Sequence, residues 1–135
     1  MRDYNEYFQS LLDANRENKI AAERYRELSM PQMHDMNKMP ELYELFQELS
    51  PGTGPEDKRR FVFVVLYFFQ PGALVSGKMK KGLRKALSKT LGCHPVRVSQ
   101  MSSNLLFYFQ HYRQYRDDIV SLLSKIENLL YNNNQ

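Results

Sequence analysis

Nine consecutive apolar residues, FVFVVLYFF at positions 61–69, constrain this chain of 135 residues more than any other segment. A membrane-spanning helix needs roughly 20 apolar residues, so a run of this length belongs in a protein core. Its valines and aromatic residues favour a strand, but its borders favour a helix. Thr53 and Gly54 can cap a helix, Pro55 suits a first turn, and the two acidic residues that follow complement the helix dipole. We therefore predict a central buried helix over residues 55–69.

Composition is typical of a globular protein of about one domain. Apolar residues make up 42% of the sequence and aromatic residues 13%, which is enough for one hydrophobic core. The single cysteine, Cys93, cannot form an intrachain disulfide, and this favours a reducing cytoplasm. The N-terminal residues lack the uninterrupted apolar stretch of a signal peptide. We expect a cytoplasmic protein with no membrane partner.

Charge is divided unequally along the chain. Residues 1–57 carry six Lys or Arg and twelve Asp or Glu, a net charge of −6, whereas residues 58–135 carry thirteen and three, a net charge of +10. The stretch SPGTGP at positions 50–55 is the clearest break between the two parts. A basic part attracts polyanions such as nucleic acid. Three roles are open for the acidic part: it could pack on the basic part, bind another protein, or repel DNA from one side.

The acidic part has a helical period with one interruption. Apolar residues recur at steps of three and four over residues 4–12 and again over 20–28, which predicts one long helix or two short ones joined near residues 15–18. The Met-rich segment 30–40 is bounded by prolines and predicts a linker. Pro40 then begins a short amphipathic helix.

Residues 84–104 have the pattern of two short helices around a tight turn. Gly92 can take the left-handed conformation that ends a helix, Pro95 suits the first turn of the next one, and His94 lies at its cap, where serine or threonine is more usual. Small Ser88 precedes the turn, and the apolar positions around it are Leu87, Leu91, Cys93, Val98 and Met101. Two helices that cross steeply need apolar residues there to bury their shared side. The segment resembles the helix-turn-helix of bacterial and phage DNA-binding proteins.

The first helix of this pair is predicted to start at Ser76 as its N-cap and to end at Gly92. Residues 78–97 contain seven Lys or Arg and no acidic residue, the charge pattern of a surface that binds a nucleic-acid backbone. The simpler interpretation is that the lysines only solvate the outer face of a helix. We favour DNA binding because the motif and the basic segment coincide.

The resemblance implies that the second helix, residues 95–104, enters the major groove with its N-terminal residues at base edges. Arg97 would then pair with guanine, Gln100 with adenine, and Val96 would touch a thymine methyl group. The predicted base-contact residues are Val96, Arg97, Ser99, Gln100 and Ser103. The predicted phosphate contacts, which position the protein without reading sequence, are Lys78, Lys80, Lys81, Arg84, Lys85 and Lys89.

After the motif, apolar residues predict two more helical segments. Leu105, Leu106, Phe109 and Tyr112 share one helical face. The interleaved aromatic residues and arginines could stack single-stranded bases, but we favour core packing or a protein interface. Asp117 or Asp118 is the predicted cap of a final helix with an apolar stripe, and residues 132–135 form a predicted disordered tail.

We find no pattern that points to an enzyme, a cofactor or a metal centre. Methionines around His34 can bind Cu(I), but methionine is more often a filler of irregular contacts. Cys93 occupies an apolar position of the motif, and no histidine and acid are arranged to activate it. His94 and His111 are interpreted as cap or surface residues.

The sequence thus predicts an all-α, compact helical bundle that contains a helix-turn-helix. Residues 1–50 form an acidic helical region that could bind a protein partner, and residues 55–131 form a basic domain that binds double-stranded DNA. The predicted function is transcriptional or replication control, in the style of small regulators of phages and mobile elements. We expect a homodimer through the terminal helices. The alternative is a non-enzymatic interaction or assembly protein, such as a phage structural component or adaptor, whose basic face binds an acidic partner.

Overall fold

The computed structural model describes residues 2–16 and 22–132, and within these ranges the chain is all-α, which confirms the predicted fold class. A single turn of 3-10 helix spans Met36–Lys38. In chain order the α-helices are α1 (Tyr4–Arg16), α2 (Ala22–Leu28), α3 (Met39–Leu49), α4 (Pro55–Phe69), α5 (Ala73–Ser76), α6 (Lys81–Leu91), α7 (Pro95–Met101), α8 (Leu105–His111) and α9 (Arg113–Asn132).

Helix α4 is the centre of the core, and its limits are those that the sequence predicts. Each residue from 61 to 69 is at most 5% exposed. The helix is capped at Gly54, whose N–H donates to the Asp57 carboxylate at 3.2 Å. Helices α3, α5, α6, α7 and α9 all contact α4, so this helix is the support on which the others are placed.

The acidic N-terminal part packs into the same core as the basic part. Phe8 of α1 lies edge-on to Phe63 of α4, with ring centroids 5.4 Å apart. Phe46 of α3 lies 5.3 Å from Phe61, again between ring centroids. Of the three roles considered for the acidic part, packing on the basic part is therefore the one that the structure shows.

The segment between α2 and α3 is tied to the end of α4. The backbone N–H groups of Gln32 and Met33 both donate to the Phe68 carbonyl at 2.9 Å. Met39 is fully buried and Met36 packs against the core, so both methionines fill space between helices. The junction predicted near residues 15–18 follows Arg16 and falls partly on residues 17–21, which lie outside the described ranges.

The helix predicted to begin at Ser76 begins instead at Lys81, so the predicted N-cap is wrong. Ser76 is the last residue of the short helix α5, which ends because Gly77 takes a left-handed conformation with φ of 73°. The Ser76 hydroxyl oxygen accepts a hydrogen bond from the Lys78 N–H at 3.1 Å. It therefore stabilises the turn after α5 rather than the start of α6.

Two predicted boundaries near the C-terminus are also wrong. The helix predicted over residues 95–104 ends at Met101, and Asn104 takes a left-handed conformation with φ of 63° before α8 begins. Tyr112 is extended and 55% exposed rather than buried. Helix α9 consequently starts at Arg113, before Asp117 and Asp118, and continues to Asn132. The rest of the predicted tail, residues 133–135, lies outside the described ranges.

Candidate nucleic-acid interface

The turn between α6 and α7 is closed around Ser88. Gly92 is left-handed, with φ of 67° and ψ of 39°, and its N–H donates to the Ser88 carbonyl. The Cys93 N–H donates to the same carbonyl at 3.0 Å. The Ser88 hydroxyl in turn donates to the Cys93 carbonyl. Ser88 thus forms hydrogen bonds to backbone groups of both Gly92 and Cys93. The sequence identifies Ser88 only as a small residue and does not predict these hydrogen bonds.

His94 caps α7 with its side chain. The Val96 N–H donates to Nδ1 of His94 at 3.1 Å, and the His94 backbone is extended, as N-cap residues usually are. Nδ1 can accept this bond only when it carries no proton. The imidazole therefore accepts the capping hydrogen bond that a serine or threonine hydroxyl more usually accepts at this position.

Helices α6 and α7 are held together by a buried apolar side and one polar contact. The buried residues are Leu83, Leu87 and Leu91 of α6 and Val98 and Met101 of α7. Both helices contact α4 behind them. At the margin, Arg84 Nη1 donates to Ser99 Oγ at 3.4 Å. The orientation of α7 is therefore fixed from two sides.

Three of the five predicted base-contact residues project from α7 into solvent. Val96 is 56% exposed, an unusual position for a valine, and Arg97 and Gln100 are exposed as well. Arg97 and Gln100 are three positions apart and so lie on one face of the helix. This face therefore presents a guanidinium, an amide and an apolar side chain to solvent.

The other two predicted base-contact residues are placed differently. Ser99 is half-buried, and its hydroxyl accepts the bond from Arg84. Ser103 is exposed, but it follows the end of α7. Its hydroxyl donates to the Ser99 carbonyl at 3.2 Å, and that of Ser102 donates to the same oxygen at 2.9 Å. These serines close the end of α7 and leave its outer face to Val96, Arg97 and Gln100.

The six basic residues predicted to contact phosphate are all at least partly exposed. Lys78, Lys80, Lys81, Lys85 and Lys89 are exposed and Arg84 is half-buried. In the described part of the chain none of these six is paired with a carboxylate. The first two are held by Gln70, which follows α4: its amide donates to the Lys78 carbonyl at 3.1 Å and accepts from the Lys80 N–H at 2.9 Å. Sequence reasoning missed this role of Gln70.

Two of the six cations face the acidic part of the molecule. Lys85 and Lys89 line a groove of about 690 Å³ between α6 and α3, together with Tyr43, Glu44 and Gln47. Glu44 lowers the positive potential there, so these two lysines are less suited to phosphate than the prediction assumed. Lys78, Lys80 and Lys81 are not among the residues that line this groove.

In the described ranges, no group of three or more His, Cys, Asp or Glu residues is arranged to hold a metal ion. None of the helices there combines the length and apolarity that a membrane crossing requires. Cys93 is half-buried at the turn, and the His111 ring lies 4.2 Å from that of Phe107, centroid to centroid.

Comparison with known protein families, curated protein sequences and solved structures gives no match. Function is accordingly inferred from the geometry and charge of α6, α7 and the turn between them.

Proposed function

We propose that this protein is a cytoplasmic, non-enzymatic DNA-binding protein that reads duplex DNA with α7. We further propose that it is a small regulator of transcription or replication belonging to a phage or mobile element. The observation that carries the proposal is the outer face of α7. Arg97, Gln100 and Val96 are exposed there on a helix fixed by α4 and α6. Within the described ranges, the lysines of α6 and of the segment before it form no ion pair with a carboxylate.

Base recognition would come from this outer face. A guanidinium can make two hydrogen bonds to guanine, a glutamine amide two to adenine, and a valine can contact a thymine methyl group. Because Arg97 and Gln100 are one helical turn apart, they would reach neighbouring base pairs. Each such contact contributes roughly 1–3 kcal/mol of discrimination against the wrong base.

Phosphate contacts would come chiefly from the segment that leads into α6. Lys78, Lys80 and Lys81 are exposed, and Gln70 holds the backbone on which two of them stand. Such contacts are independent of sequence and fix the register of a protein on the duplex. They would also make the affinity fall steeply with salt concentration.

The proposal includes a homodimer. Helix α7 has seven residues and is about 10 Å long, so one copy reads few base pairs. Two copies would place two such helices about one DNA turn, roughly 34 Å, apart. Most apolar residues of the terminal helices, on which the dimer expectation was based, lie in the core. The apolar side chains still exposed on α8 and α9 and between them are Phe107, Tyr112, Leu129 and Tyr131.

The test is the selection of bound duplexes from a random DNA pool at near-physiological salt. Wild type is compared with the Arg97→Ala, Gln100→Ala double variant. The matched control is Arg113→Ala with Gln114→Ala, which removes the same two residue types from exposed positions at the start of α9. We expect one enriched site with wild type and control, and its loss in the α7 variant. A site that survives in the α7 variant would exclude α7 as the reader.

A second candidate is an interaction or assembly protein whose basic face binds an acidic partner. It is favoured by the position of Lys85 and Lys89 in a groove that also contains apolar Met36 and Tyr43, as a protein ligand would require. This function predicts salt-sensitive binding to many polyanions without base preference. The same selection would then enrich no site with any of the three proteins.

A further inference from the structure

A second groove lies between α3 and α9, on another side of α3 from the lysines of α6. Its volume is about 520 Å³, within the range of roughly 300–1,000 Å³ that ligand pockets have. Its apolar lining consists of Met33, Leu42, Leu45, Leu129 and Leu130. Leu129 is 36% exposed, so apolar surface of the last helix remains open to a partner.

The rim of this groove is acidic. Glu41, Glu44 and Glu48 line it and are exposed, at helical spacings that place them in one row along α3. Lys38 pairs with Glu41 at 3.8 Å, but no ion pair within the described ranges involves Glu44 or Glu48. Like charges four positions apart destabilise a helix slightly. Helix stability therefore explains Glu41, which lies in the first turn of α3 and pairs with Lys38, but it does not explain Glu44 and Glu48.

Charge decides which kind of occupant suits the groove. A nucleic acid or an anionic lipid surface would be repelled by the three carboxylates. A second copy that docked through the same groove would bring two acidic rims together, since a two-fold contact uses the same patch on both subunits. A helix with leucine-like residues on one face and Lys or Arg on the other matches both the apolar lining and the rim.

We propose that the groove between α3 and α9 binds a basic amphipathic helix of a protein partner. Apolar side chains of the partner at i, i+3, i+4 and i+7 enter the groove between Leu45 and Leu129. Basic side chains on either side pair with Glu41, Glu44 and Glu48. This inference does not depend on DNA reading, because it uses neither α6 nor α7.

The probe is a fluorescent peptide of leucine and lysine, about four turns or 14 residues long, with its leucines on one helical face. Two comparison peptides are a scrambled sequence of the same composition and a version with glutamate in place of lysine. Binding to the full chain is followed by fluorescence anisotropy at physiological salt. We expect saturable binding of the ordered peptide, much weaker binding of the scrambled one, and none of the glutamate one.

Two protein variants locate the binding site. Glu41→Lys with Glu48→Lys reverses the rim and leaves Glu44, which also borders the lysine groove, in place. Its control, Glu23→Lys with Glu27→Lys, makes the same change in net charge at exposed positions of α2. Reversal of the rim charges should lower the affinity for the ordered peptide about tenfold, as the loss of two rim ion pairs would. The control should have little effect.

A third variant, Leu129→Ser, tests the apolar lining at a residue exposed enough to be replaced without unfolding the protein. It should lower the affinity for the ordered peptide and leave the affinity for the scrambled peptide unchanged. Equal binding of the two lysine peptides, equal effects of the two charge reversals, or no effect of Leu129→Ser would each overturn the proposal. The DNA-site selection can also be carried out with the rim variant Glu41→Lys, Glu48→Lys. It tests DNA recognition by α7 and not the groove, so the failure of either proposal can be distinguished from the failure of the other.

Discussion

Tyr4 and Tyr67 donate their hydroxyl hydrogens to the same carboxylate oxygen, Oε1 of Glu127. The distance from Tyr67 is 2.9 Å. Arg2 donates to the Tyr67 hydroxyl oxygen at 2.8 Å and lies 4.4 Å from the centroid of the Tyr7 ring. This network joins the first helix and the residues before it to α4 and to the end of α9.

Replacement of Glu127 by alanine should lower the free energy of unfolding by about 3 kcal/mol, because two hydroxyl groups lose their acceptor and each hydrogen bond to a charged group contributes at least roughly 1.5 kcal/mol. Urea denaturation measures the change. Glu23→Ala on the exposed side of α2 is the control and should change stability little. A loss no larger than that of the control would show that the carboxylate does not stabilise the fold.

Alkaline pH should unfold the protein through its buried tyrosines. Burial raises the pKa of Tyr7 from 10.0 to about 12, and burial also raises the pKa of Tyr4, Tyr67 and Tyr115. The folded state therefore holds these protons more tightly than the unfolded state. Their contribution is complete below pH 10 and is lost as the pH rises through the folded-state pKa values.

Phenolate absorbance and circular dichroism, recorded together during titration, check this prediction. We expect part of the phenolate signal to appear only with the loss of helical signal above pH 10. Titration of all tyrosines near pH 10 with the helical signal intact would contradict it.

Gly92→Ala should lower the free energy of unfolding by about 1–2 kcal/mol, the cost of a left-handed conformation for a residue with a side chain. A Cβ atom at Gly92 would meet nothing within 4 Å, so the cost comes from the backbone alone. Gly92→Asn should cost less, since asparagine tolerates this conformation better.

Thermal or urea unfolding of the Gly92 variants provides the measurement, and Gly77→Ala is the matched control. Gly77 also has a left-handed φ with open space around it, but it lies outside the turn between α6 and α7. Both alanine variants should lose similar stability. Gly92→Ala should abolish the preference for one DNA site by displacing α7, whereas Gly77→Ala, which alters the turn before Lys78, should weaken binding to all duplexes alike. An unchanged site preference in Gly92→Ala would separate the turn from recognition.

Removal of single lysines should change the salt dependence of DNA binding. For each phosphate that a variant no longer neutralises, the slope of log K against log salt should become shallower by about 0.9. We expect this for Lys81→Ala and a smaller change for Lys89→Ala, because Lys89 lines the groove beside Glu44. Lys125→Ala, at an exposed position of α9, should leave the slope unchanged. An equal effect of all three variants would indicate that the whole positive charge attracts DNA without specific phosphate contacts.

Local sequence signals predicted part of this structure well. The limits of α4 follow from an apolar run between Gly54-Pro55 and Pro71-Gly72, and the end of α6 follows from Gly92. At these places the boundary of the helix is determined by the glycine and proline residues located there, so it can be predicted from the local sequence. The exposed face of α7 could be predicted for the same reason, since the spacing of Val98 and Met101 fixes which side is buried.

Features that depend on distant contacts could not be predicted in this way. Asn104 takes a left-handed conformation without being a glycine, so the break before α8 has no strong local signal. Gln70 orders a loop ten residues away, and Arg84 engages Ser99 across the turn. Asp118 pairs with Arg60 at 3.5 Å instead of capping a helix. Each contact joins residues that are far apart in the sequence.

The acidic and basic parts of the chain share one core, and this limits how the protein can evolve. Phe8 and Phe46 cover aromatic rings of α4, and α4 carries both α6 and α7. A fragment that began after residue 50 would expose those rings to water and lose their packing. Helices α6 and α7 therefore do not form a separate module that could be exchanged between proteins, and α1, α3 and α4 must be inherited with them.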